Sequence, residues 1–166
     1  MMEIKKVLKK LHSSSKFMDW QKDHKECFLA HIFKMFDKEN EKSWQVGYCN
    51  PKNDIITTFI IEPDSVLVTE ESEPFKKPGT HIHELNLKKV DIDYGEALEK
   101  AEILKREKYP KEIPLKKFFI LQNIKDKNMY NITYFTSSFK AVNIKIGSDN
   151  GSIVNDEVTE FLQFKK

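Results

Sequence analysis

Two histidines and a glutamate in the run His81, Ile82, His83, Glu84 are the residues of this 166-residue chain whose spacing best suits chemistry. On an extended segment successive side chains alternate between faces, so His81 and His83 would project together and Glu84 to the other side. Two imidazoles on one face can begin a zinc site, but a third protein ligand must come from elsewhere. The order is also not the His-Glu-x-x-His of zinc hydrolases. A polar, partly exposed segment explains the same residues without chemistry. A second pair, His24 and His31, flanks Cys27 at three and four residues. On a helix one of those imidazoles would touch the thiol, yet ordinary helical packing accounts for the spacing equally. Neither pair has an obvious carboxylate to complete a ligand set. The sequence therefore assigns no catalytic, cofactor-binding or metal-ligating residue and implies no cofactor. A small metal-dependent enzyme using His81 and His83 is kept as an alternative.

Other chemistries find less support. No Gly-x-Ser-x-Gly elbow occurs, and the five glycines are dispersed, so no phosphate-cradling loop is present. Phe118, Phe119, Tyr130 and Tyr134 could stack bases on a sheet face, with Lys116, Lys117, Lys125 and Lys127 close by in sequence. That pattern is the basis of a second alternative, a single-stranded nucleic-acid-binding module. The charge argues against binding by bulk electrostatics, because 28 Lys plus Arg face 26 Asp plus Glu for a net charge of +2. Of the 28, only Arg106 is an arginine, and lysine lacks the planar bidentate fork that reads guanine edges and phosphates. The two cysteines, Cys27 and Cys49, match no Cys-x-x-Cys motif and read as small core residues. The amino-terminal segment alternates charge with apolar positions instead of forming a signal-peptide core, and no run approaches a membrane span. The expected setting is cytoplasmic, with no membrane partner.

The elements that would position these residues follow from periodicity. Ile4, Val7, Leu8 and Leu11 lie at helical spacing. Ser13 to Ser15 break that pattern and can cap a second helix, expected over 16–37. Strands are expected over 44–49, 54–62 and 65–70. Pro74 to Gly79 read as a joint, followed by an extended segment over 81–92. Asp93 with Glu96 three residues later is a capping-box arrangement, and Pro110 stops the helix that follows near Lys108. Three more strands are expected over 117–124, 129–136 and 139–146, then a short helix over 157–164.

The two halves thus read in the same order, a helix and three meandering strands. Trp44 and Phe118, Ile55 and Met129, and Val66 and Val142 are offset by 74, 74 and 76 residues, which suggests an internal repeat. The run at 93–101 resembles the opening helix of the PepSY domain family, a cystatin-like module, in its paired alanines, Ala97 and Ala101. The run at 141–154 resembles that family's closing strand and Asp-containing turn. The resemblance implies an inhibitory or regulatory module and brings no catalytic residues. The expected fold class is α+β: two helix-plus-three-stranded antiparallel sheet units, cystatin/PepSY-like, with a short N-terminal helix. The expected organisation is an amphipathic helix over 1–12, a first unit over 13–78 and a second over 79–166. The expected function is non-enzymatic binding or regulation, through contacts of a sheet face or edge with another protein.

Overall fold

A computed structural model describes residues 2–73 and 81–160. The expected joint at 74–79 and the end of the expected tail helix, with Phe161, Leu162 and Phe164, lie outside the described residues. The chain is mixed α and β. Among the described residues three helices, α1 (Met2–His12), α2 (Ser15–Asp23) and α3 (Tyr94–Lys108), accompany eight strands. These are β1 (Phe28–Met35), β2 (Trp44–Cys49), β3 (Ile56–Ile61), β4 (Val66–Val68), β5 (Pro114–Ile124), β6 (Lys127–Thr136), β7 (Lys140–Gly147) and β8 (Ile153–Glu160).

All eight strands form one antiparallel sheet in the order β4-β3-β2-β1-β5-β6-β7-β8. The expected pair of helix-plus-three-stranded units is therefore wrong, because each half contributes a four-stranded meander and β1 joins β5 at the centre. Two strands are missed by the sequence reading, and both errors have a physical cause. The apolar residues of 28–35 fit a helical stripe as well as a buried strand, and a bulge between Leu29 and His31 interrupts the alternation that would distinguish the strand. Pairing with β2 and β5 settles the choice, and α2 stops at Asp23. At the other end, residues 153–160 pair along β7 as an edge strand instead of leading into a helix. The offsets of the expected repeat match β2 with β5, β3 with β6 and β4 with β7. By order from the β1–β5 junction, however, β2 stands opposite β6, so those residue pairings do not hold.

Register explains which face is buried. Phe59, Val46, Ile32, Leu121, Tyr130 and Ile146 lie directly across from one another on six successive strands, and all are fully buried. Ile4, Val7, Leu8 and Leu11 of α1, Phe17 of α2 and Ala97 and Ala101 of α3 join this row in a single core. One residue along each strand, the parity reverses. Ile60, Gln45, Phe33, Ile120, Asn131 and Lys145 form the matching row on the opposite face, on which no described helix packs. Phe33, Phe118 and Phe135 make a half-buried aromatic ladder there, with ring centroids 5.3 and 5.6 Å apart.

Residues 81–92 connect the two meanders with only one bridge, His83 to Asn123, and one 3-10 turn, Leu87–Lys89. Ile82 packs on the open-face side with Ala30, Cys49 and Ile56. Three residues later Leu85 donates its amide to Leu29 O at 2.8 Å and enters the helix-side core. The chain thus changes faces where β1 and β5 separate. It then enters α3, whose first turn is capped by Asp93 Oδ1 accepting from Gly95 N at 3.1 Å.

Candidate functional site

Chain reversal after α3 creates the most distinctive surface. The helix ends at Lys108, the segment 109–113 turns back, and β5 starts at Pro114. Pro114 pairs with Thr136 and Lys116 with Phe135, so a β-bulge leaves Leu115 as the extra residue. Nearby, β6 and β7 are joined by a turn in which Phe139 N donates to Thr136 O at 3.1 Å. Ser137 N donates to Ile113 O at 2.9 Å, which ties this turn to the segment before β5.

Phe139 sits at φ +56°, in the left-handed region that a bulky L side chain rarely adopts. Hairpins with such a turn ordinarily place Gly at this position, where the absence of a Cβ removes the clash. Nevertheless Phe139 is 69% exposed. Leu115 and Ile113 are 70% and 62% exposed. Apart from Met2, these are the most exposed large apolar side chains among the described residues, and all three lie at one end of the sheet. Burial does not explain them, since each leaves most of its apolar area in water.

A polar clamp fixes the turn beneath them. Glu112 accepts from Thr136 Oγ1 at 3.0 Å and from Ser138 Oγ, and pairs with Lys140 Nζ at 3.0 Å. The Ser138 hydroxyl and then the Lys140 ammonium hold the Glu112 carboxyl below the usual carboxylate range. Glu112 thereby holds the residues on either side of Phe139, Ser138 and Lys140.

A cleft of about 480 Å³ opens beside this tip, between α3 and the start of β5. Its apolar wall is Phe36, Leu98, Pro114 and Leu115. Its charges come in both signs, Glu99 and Glu102 from α3 and Lys116 and Lys117 from β5. Lys117 Nζ lies 5.3 Å from the Phe36 ring centroid, a cation–π contact. Tyr134, fully buried, also lines the cleft, and its hydroxyl makes no well-formed hydrogen bond. Burial, followed by the nearby Glu102 carboxylate, raises the pKa of Tyr134, so the phenol stays protonated. A second cleft of about 410 Å³ lies at the other end of the sheet among Lys88, Lys89, Asp91 and Asp149, with Met129 and Val154 as its apolar lining.

The candidates read from sequence do not gather at this site. His81 Nδ1 faces Asp54 at 3.5 Å, and His83 Nδ1 faces Asp126 at 3.3 Å, so the two imidazoles are engaged by different carboxylates. No group of three metal-ligating side chains occurs among the described residues. His24 and His31 do not share a helix around Cys27. His24 stacks on Trp20 just past α2, with centroids 4.6 Å apart, and His31 lies on β1. Of the four aromatics proposed to stack bases, Phe119, Tyr130 and Tyr134 are fully buried on the helix side, and Phe118 alone belongs to the open face. The exposed trio was legible only in part. Two serines mark a turn before Phe139, but the positive φ depends on how that turn closes.

No family model matches the chain, and no curated protein matches it. Among solved structures, the crystal structure of a candidate lipoprotein from Clostridium difficile 630 is similar. The similarity covers 87% of this chain and 90% of that one, with a TM-score of 0.53 and 16% identity. At that identity the likeness shows a shared fold alone. No described helix is long and apolar enough to cross a membrane.

Proposed function

We propose that this chain is a non-enzymatic binding or regulatory protein that docks another polypeptide through the apolar end formed by Ile113, Leu115 and Phe139. The observation that carries the reading is Phe139, an exposed aromatic at φ +56°, where glycine would be free of strain. Exposed aromatic anchors on a fixed backbone are what protein interfaces use as hot spots. Strand addition at the sheet edges is the weaker route. The edge strand β4 has three residues, and β8 carries Asp156, Glu157 and Glu160, charges that discourage pairing with a foreign strand. The cytoplasmic setting read from sequence belongs to the same proposal.

Photo-crosslinking tests it. A benzophenone amino acid replaces Phe139 in one preparation and the exposed Lys9 of α1 in another, each in the native cell. A discrete polypeptide adduct from position 139 alone is expected. Equal labelling from both positions, or none from 139, would overturn the reading.

A further inference from the structure

Tip and cleft lie at the same end of the same molecule, and their shapes are opposite. Phe139 projects with 69% of its surface exposed, and the neighbouring cleft of about 480 Å³ has an apolar wall of Phe36, Leu98, Pro114 and Leu115. Accepting the docking reading above, we infer that the occupant of this surface is a second copy of the chain, each copy placing Phe139 in the cleft of the other.

Three observations favour a copy of this chain over another partner. First, a two-fold contact needs one patch that complements itself, and a projection beside a recess on one patch meets that requirement. Second, the charges around the site are mixed. Glu99 and Glu102 face Lys116 and Lys117 across the cleft, while Lys140 is paired with Glu112. Such a rim exerts no single-sign attraction for an anionic bilayer or a strongly charged protein, whereas a two-fold arrangement can set its acids against its bases. The net charge of +2 imposes little repulsion between copies. Third, the area is adequate for a weak dimer. At 62–70% exposure, three side chains of ~150–200 Å² each leave roughly 350 Å² of apolar surface per copy. Two copies bury ~700 Å² of apolar surface from these side chains, to which the cleft walls and polar rim add, which places the contact among small, weak interfaces below ~1,200 Å². Leu98 and Phe36 supply the cleft wall that such a contact would desolvate.

Sedimentation equilibrium of the purified chain across a concentration series provides the test, with F139G and L115S measured alongside. Glycine suits the backbone at φ +56°, and Leu115 is mostly exposed, so both variants fold; far-ultraviolet circular dichroism confirms it. The wild type is expected to dimerise with a micromolar dissociation constant, and each variant to weaken the dimer by ~10-fold or more. A wild type that stays monomeric at millimolar concentration overturns the inference. So does a dimer whose affinity neither variant changes, because that contact lies elsewhere. A monomer that instead co-sediments with phosphatidylcholine–phosphatidylglycerol vesicles in a Phe139-dependent way makes the tip a bilayer contact and also overturns it. If the chain is monomeric but the crosslinks from position 139 reach a different polypeptide, only the identity of the partner fails and the docking reading stands.

Discussion

Replacing Phe139 separates backbone strain from side-chain packing, because glycine and alanine remove the same ring but differ in their tolerance of positive φ. An L residue in the left-handed region costs ~1–2 kcal/mol, which glycine does not incur. The ring is about one third buried, so its loss forfeits ~0.5–1 kcal/mol of the ~1.5–3 kcal/mol that full burial would contribute. Glycine also loses ~0.5–1 kcal/mol through the greater freedom of the unfolded chain. For F139G these contributions nearly cancel, and stability should stay within about 1 kcal/mol of wild type. F139A forfeits the ring and keeps the strain, so F139G should exceed F139A by about 1 kcal/mol. At ordinary exposed positions the order is the reverse. Urea unfolding of the monomer at low concentration measures the difference, which corresponds to ~2–4 °C in melting temperature for a chain of this size. F139A as stable as F139G, or more so, would refute the assignment of a strained tip.

The remaining expectations concern the open face and the histidines. A Cβ at Gly47 would lie 2.2 Å from His31 Cε1, so G47A should cost ~1–3 kcal/mol in urea unfolding, and H31A combined with G47A should recover most of that loss. Burial pushes the His31 imidazole down to about 4, so above the unfolded value near 6.5 the neutral ring favours folding fully. As pH falls from 6.5 to 4 the unfolded chain binds the extra proton, and ~3 kcal/mol of stability should drain away. H31Q should flatten that part of the urea-midpoint profile, and an unchanged slope would place the titration elsewhere. Because His81 and His83 face different carboxylates, added zinc should leave the melting temperature of the untagged protein unchanged, and the double variant H81A/H83A should respond to zinc as wild type does.

Local signals carried a good part of the fold. The apolar stripe of α1 falls where Ile4, Val7, Leu8 and Leu11 place it, and α3 begins at its Asp93 cap and ends before Pro110. Alternation and flanking turn residues located β2, β3, β6 and β7 to within a few residues. Each of these features depends on neighbours in sequence, through a cap, a turn or a period. Strands β1 and β8 depended instead on partners far along the chain. Phe28–Met35 becomes a central strand because β2 and β5 both pair with it, and Ile153–Glu160 becomes an edge because β7 offers it a ladder. The merger of two halves into one sheet has the same origin, since nothing local announces the β1–β5 contact.

The candidate site shows the division most clearly. Composition and spacing identified which residues could do chemistry, and the same sequence had no means of showing that His81 and His83 turn to separate acids. Ile113, Leu115 and Phe139 look ordinary in sequence, because exposure is a property of what fails to pack over a side chain. Tertiary structure brings the segment before β5 alongside the β6–β7 turn, held by Ser137 N on Ile113 O and by Glu112 on Ser138 and Lys140. Sequence by itself determined that the chain has a helix-and-strand core with balanced charge. Long-range strand pairing decided which apolar side chains that core leaves outside.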